Sequence, residues 1–309
     1  MPLAENCANC ATALAGRYCA QCGQDSHTHR LPARALLADA ADQLLSVDSR
    51  VLRTLSLLVC APGELTREYI AGRHQPYVPS LRLYLFITIA FFVALSMAGI
   101  AILQLVPYDP KTEPPASFVS TSNEVAGTVA ARFILFRPFV RVTLTESQRA
   151  SLHKMQTNLE AQDVASAAIG DRLVHVLARA YSDSVAFNLD IQAWVGRFLL
   201  LMMPLFAVAA AVLRPGRFLF VDHLTFALHF HSFLFILLFG AVAVAAFVQG
   251  QLVLWLVLLV LALYLFLSLR RAYGLSFVAA GWRAIVLFGG YSVAFVNGLQ
   301  ALILLAMGS

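Results

Sequence analysis

From Trp194 to its end the chain is almost continuously apolar, with only short breaks, and that run sets what the chain can fold into. A membrane-spanning helix needs about 20 mostly apolar residues, and a soluble core cannot absorb several such stretches in series. Five segments meet the requirement, at about 83–106, 195–213, 223–247, 252–269 and 284–307. The composition agrees: 60% of the 309 residues are hydrophobic and 13% charged, where soluble domains carry about 25% charge. The surplus apolar surface must face lipid. The expected fold is an all-α integral membrane bundle of about five transmembrane helices, with a small N-terminal zinc ribbon and a helical extracytoplasmic loop.

The intervening segments divide the chain further. Residues 1–30 are polar and cysteine-bearing, and 31–82 are amphipathic. Residues 83–106 form the first span, 107–193 a polar loop, and 194–309 a four-helix transmembrane region. Arg214-Pro215-Gly216-Arg217 ends the second span and Arg270-Arg271 the fourth, whereas Gln249-Gly250-Gln251 is an uncharged hairpin turn. Arg67, Arg73 and Arg82 precede the first span, and Arg283 lies with Arg270 and Arg271. All these short basic segments share one face if the N-terminus is cytoplasmic and the C-terminus extracytoplasmic, as the positive-inside rule requires. No apolar h-region opens residues 1–30, which agrees with a cytosolic N-terminus in a bacterial inner membrane. The formal charge of +5 then belongs to loops at the membrane face rather than to nucleic-acid binding.

Within 107–193, the stretch from Pro107-Tyr108-Asp109-Pro110 to Pro114-Pro115 reads as a non-helical linker. Thr145-Glu146-Ser147-Gln148 reads as a capping box opening a helix to about Glu160. A second amphipathic helix is expected over about 163–181, with Val164, Ala168, Leu173 and Leu177 near one stripe. A helical subdomain and a poorly ordered tether remain equal readings of this loop. Residues 36–60 alternate leucine pairs with Asp39, Asp42, Asp48, Arg50 and Arg53, a pattern for helices lying in the membrane interface.

Cys7-Ala-Asn-Cys10 and Cys19-Ala-Gln-Cys22 are two C-x-x-C pairs eight residues apart. Each pair can turn two thiolates toward one tetrahedral metal, which predicts a closed, structural site for one zinc ion. A redox pair would need a βαβ context, which is missing here. Residues 1–25 have little core of their own, so metal binding would supply their folding energy. His27 and His29 could substitute as ligands but read more simply as linker, and Cys60 reads as a buried small residue.

The ribbon, followed by Asp48, Thr54, Pro62-Gly63-Glu64, Tyr69-Ile70-Ala71-Gly72-Arg73, Tyr77 and Pro79, resembles the bacterial membrane family known as domain of unknown function 3667. Asp222-His223-Leu224-Thr225-Phe226-Ala227-Leu228-His229-Phe230-His231 in the third span adds to the resemblance. It implies a zinc ribbon and a multi-span body, and it carries no established activity. In physical terms Pro62, Gly63, Tyr69, Gly72, Arg73, Tyr77 and Pro79 read as a structural elbow at the membrane face.

Asp222, His223, Thr225, His229, His231, Tyr264, Tyr291 and Asn297 form a candidate intramembrane polar site, since polar groups at membrane depth usually face a bundle interior. Asp222, Thr225, His229 and Ser232 fall on one helical stripe, whereas His231 points about 160° away from His229. One intrahelical metal site is therefore excluded. Ordinary interhelical hydrogen bonds and a functional cavity are equal readings of this layer. The chain has no G-x-S-x-G, H-E-x-x-H, P-loop or Rossmann fingerprint, so no catalytic residue is assigned. The sequence thus points to an adaptor or transporter-like bundle whose ribbon docks a cytoplasmic partner. The alternative is an intramembrane enzyme or transporter acting on a lipid or small amphiphile around His229. The bilayer is the one certain environment, and a homo-oligomer is compatible with the composition.

Overall fold

The computed structural model describes residues 6–25, 50–108, 130–139, 182–213, 218–245, 247–248 and 250–307, with isolated positions between 146 and 180. Several expectations fall outside the described residues. They are the leucine pattern before Arg50, the linker after Tyr108, most of the capping box at 145–148, and the helix stripe at 163–177. His27, His29 and the turn Arg214–Arg217 fall outside as well.

The described residues form seven helices and two strands: α1 (Arg50–Cys60), α2 (Glu64–Ile70), α3 (Ser80–Ala98), β1 (Ile100–Tyr108), β2 (Ala130–Pro138), α4 (Ser184–Leu213), α5 (Phe220–Ala245), α6 (Gly250–Tyr273) and α7 (Phe277–Met307). Five of them, α3 to α7, are long and apolar enough to cross a membrane. Their outward residues are hydrophobic: Phe86, Ile89 and Val93 on α3, Leu252, Trp255, Leu259 and Leu263 on α6. Lipid is the solvent such faces require. The fold is a mostly helical membrane bundle.

Three expectations need correction. Cys60, expected to be buried, is exposed at the end of α1. The first span ends at Ala98 rather than residue 106, because Gly99 adopts the left-handed conformation (φ 63°) and stops the helix. At 19 residues α3 still measures about 28 Å, enough for the hydrocarbon core. Ile100–Tyr108 then runs as a strand, antiparallel to β2, with Leu103 opposite Leu135 and Leu105 opposite Phe133. The polar loop is therefore not wholly helical. α4 also begins eleven residues ahead of the expected second span, at Ser184, and carries Pro204 inside it.

The chain divides into two compact units. The first comprises residues 1–91, 201–239 and 257–291. Its core joins Leu58 and Leu65 of the two short helices to Phe206, Phe226, Phe230, Phe233, Tyr264 and Leu265 of the long ones. Ring stacking fixes it: Phe206 lies on Phe230 at 4.7 Å and Phe233 on Tyr264 at 3.6 Å, with the rings of each pair nearly parallel. The second unit comprises residues 92–200, 240–256 and 292–309. There an isolated hairpin would be marginal, and Asn188 of α4 secures β1. Its Oδ1 accepts from the Leu105 amide at 2.8 Å and its Nδ2 donates to the Leu105 carbonyl at 3.1 Å.

Candidate metal centre and the histidine helix

The four cysteines converge. Cys7, Cys10, Cys19 and Cys22 hold their sulfur atoms within 4.8 Å of one another. Cys7 Sγ is 3.6 Å from Cys22 Sγ, and Cys10 Sγ 3.5 Å from Cys19 Sγ. Four thiolates around a tetrahedral ion at about 2.3 Å would stand about 3.8 Å apart, so the donor set fits a metal ion. The backbone explains the convergence. Cys7 N–H donates to the Thr12 carbonyl and Ala11 N–H to the Cys7 carbonyl; Cys19 N–H donates to Gln24 and Gly23 N–H to Cys19, all at 2.8–2.9 Å. Asn6 bridges Ala13 as Tyr18 bridges Asp25. The ribbon is thus one knuckle used twice, twelve residues apart. Both knuckles need a left-handed residue at the equivalent place, supplied by Gly23 (φ 72°) and by Ala11 (φ 60°). Hydrogen bonding of the Cys10 sulfur with the Thr12 side chain, and then with the Thr12 backbone, holds the Cys10 thiol down at about 6, which favours the thiolate a metal requires.

The ribbon is tied to the elbow. Gln24 Nε2 donates to the Gly72 carbonyl at 2.7 Å in a buried bond. Gly72 (φ 81°) closes α2 in a Schellman motif, with Gly72 N–H on Tyr69 O and Arg73 N–H on Glu68 O. Arg73 also grips Glu68 with both arms of its guanidinium, and those hydrogen bonds hold the Glu68 carboxyl below its usual range. Both sides of the Val78 peptide are held ahead of α3. Its N–H donates to Thr54 Oγ1 at 3.0 Å, and its carbonyl accepts from the Tyr69 hydroxyl. Tyr77 is half-buried, which raises its phenol, and its ring lies 6.4 Å from that of Tyr69. Pro79 immediately precedes α3 and accepts from the Leu83 amide. At the α1–α2 turn, after Pro62, Gly63 (φ 79°) presses on α6. A Cβ there would stand 2.5 Å from the Ser268 carbonyl oxygen and 2.7 Å from its Cα. Only glycine fits.

The histidines on α5 address three different elements. His223 Nδ1 meets the Tyr273 hydroxyl of α6 at 2.9 Å. His231 Nδ1 donates to the Ala227 carbonyl at 2.8 Å, so its Nε2 is the acceptor for the Tyr291 hydroxyl of α7, also at 2.8 Å. His229 Nδ1 meets Thr66 Oγ1 of α2 at 2.9 Å, with the Tyr69 ring edge-on at 5.2 Å. His229 Nε2 is buried and has no hydrogen-bond partner. The other candidates disperse. Asp222 accepts from the Leu219 amide at the start of α5, and Thr225 is buried on the same helix. The Tyr264 hydroxyl donates to the Leu58 carbonyl at 2.8 Å. Asn297 donates to the Val293 carbonyl of its own helix on an exposed face. The candidates therefore make separate hydrogen bonds, some between helices (His223, His229, His231 and Tyr264) and some local to one helix (Asp222 and Asn297). Sequence reasoning missed Thr66 and Tyr273 as partners; Thr66 could have been noticed because it lies within the elbow motif.

Residues 48–92 match the family described as "Protein of unknown function (DUF3667)". The resemblance read from the sequence thus rests on the elbow and most of α3. The DUF3667 segment contains Thr54, Gly63, Thr66, Tyr69, Gly72 and Val78, the residues that build the elbow and seat it on α5 and α6. The cysteines and the histidines of α5 lie outside it. No curated protein and no solved structure matches the chain.

Proposed function

We propose that the protein is an inner-membrane adaptor whose ribbon binds zinc in the cytosol and presents a docking surface to a cytoplasmic protein. One observation carries this reading. The ribbon is fastened to the elbow through Gln24 and Gly72, yet it exposes Tyr18 (59%) beside Arg17, whose guanidinium lies 5.3 Å from the Tyr18 ring. Tyr and Arg held rigid at a surface are the residue types that anchor protein interfaces. Zinc follows from four thiolates in a closed site with no place left for a substrate. The cytosolic side is supported by the arginines ahead of α3 (Arg67 and Arg73) and in the last turn of α6 (Arg270 and Arg271), and by the reducing compartment that free thiols need.

The test is photo-crosslinking in intact cells from a probe at Arg17, compared between wild type, Tyr18→Ala and His229→Ala. A hot-spot tyrosine predicts a loss of crosslinked partner of about tenfold or more in Tyr18→Ala, with His229→Ala unchanged. The reverse pattern would favour the second reading, a transporter or enzyme working through His229. That reading is motivated by His229 Nε2, which is buried without a hydrogen-bond partner.

A further inference from the structure

Among the buried side-chain polar atoms of the described residues of α5, His229 Nε2 has no hydrogen-bond partner, and His229 is 2% exposed. His229 lines a cavity together with Leu58, Gly63, Thr66, Phe230, Tyr264 and Ser268, among others, with room for about one water molecule. An unmade hydrogen bond on a buried group costs about 1–3 kcal/mol, and lipid offers no alternative partner. Something should therefore satisfy this nitrogen.

We propose that the cavity is a binding site for a single water molecule, which joins His229 of α5 to α6 beneath the elbow. The polar groups around it fit that ligand. Tyr264 gives its proton to the Leu58 carbonyl, so its oxygen keeps lone pairs free to accept. The Ser268 hydroxyl lines the same space and can donate or accept. A buried water commonly makes about three hydrogen bonds, and His229, Tyr264 and Ser268 offer three.

Water also answers the histidine in either tautomer. If Nδ1–H donates to Thr66, Nε2 is an acceptor and the water donates to it. If Thr66 donates to Nδ1, Nε2–H donates to the water. A lipid headgroup is far too large for the space. A divalent metal ion would find one imidazole nitrogen and hydroxyls but no carboxylate or thiolate among the lining residues, a poor donor set. Gly63 matters to the enclosure because its missing side chain lets the α1–α2 turn close against Ser268. The proposal does not depend on the adaptor reading.

The experiment is water-edited solid-state NMR on the full chain in lipid vesicles, with histidine 15N labels. The His229 signal is assigned by its disappearance in His229→Gln. The expected result is early magnetisation transfer from water protons to His229 Nε2. No transfer, or transfer from lipid acyl protons alone, overturns the proposal. Ser268→Val, which fills the cavity with methyl groups, should abolish the transfer while leaving the His231–Tyr291 signals in place. Transfer that persists undiminished in a folded Ser268→Val variant also overturns it. The wild-type measurement decides on its own if that variant does not fold.

Discussion

Ala11 and Gly23 occupy the same place in the two halves of the ribbon, and only one of them suits it. An L-residue in the left-handed region costs about 1–2 kcal/mol, which glycine avoids at some expense in unfolded-state entropy. Ala11→Gly should therefore stabilise the metal-bound ribbon by about 0.7 kcal/mol, roughly threefold in metal affinity, because binding and folding are coupled here. Competition with a chromophoric chelator measures this, and an unchanged or weaker affinity would contradict the strain argument. The convergence of the four cysteines was legible in the sequence because each C-x-x-C acts within a few residues of itself. The Ala11 strain was not, since only the parallel with Gly23 in the folded ribbon exposes it.

The α1–α2 turn is where an element's shape is set by its neighbour. Gly63 needs both a left-handed φ and the absence of a side chain against the Ser268 backbone. Gly63→Ala should cost about 3 kcal/mol, combining the φ penalty with overpacking against an atom that cannot move aside. Gly23→Ala, whose Cβ would meet only the end of Gln75 at 3.5 Å, should cost less than half as much. Thermal unfolding of the two variants in the same detergent compares them, and equal losses would refute the close-approach argument. The strand at Ile100–Tyr108 shows the limit of reading elements from sequence. Its residues are as apolar as those of α3, so hydropathy joined them, and the stop at Gly99 sits inside the run without a polar marker. The pairing that makes it a strand comes from β2, some thirty residues away.

For the molecule as a whole, the membrane class was written in the long apolar runs, while the partners of its polar residues were not. Helical periodicity placed His229 and His231 on opposite sides of α5, and they do bond to different elements. That Thr66 should meet His229 depends on contacts 163 residues apart, for which no local signal exists. The ribbon and the long helices also differ in what they need to stay folded. Removing the metal with a chelator should release residues 6–25 to protease while far-UV helicity stays within a few per cent, since the ribbon contributes no helix. Loss of helical signal in step with the metal would show that the body cannot hold together without it.

The contacts that seat the elbow have a consequence for how the protein is made. Leu58 waits for Tyr264, 206 residues downstream, and Thr66 waits for His229. At about 5–20 residues per second, the ribosome takes roughly 10–40 s to supply Tyr264 after it has made Leu58. Throughout that interval α1 and α2 exist beside a membrane that does not yet contain their seat. The final seating is therefore a late event of biogenesis, and the earliest-made helices are among the last to reach their places.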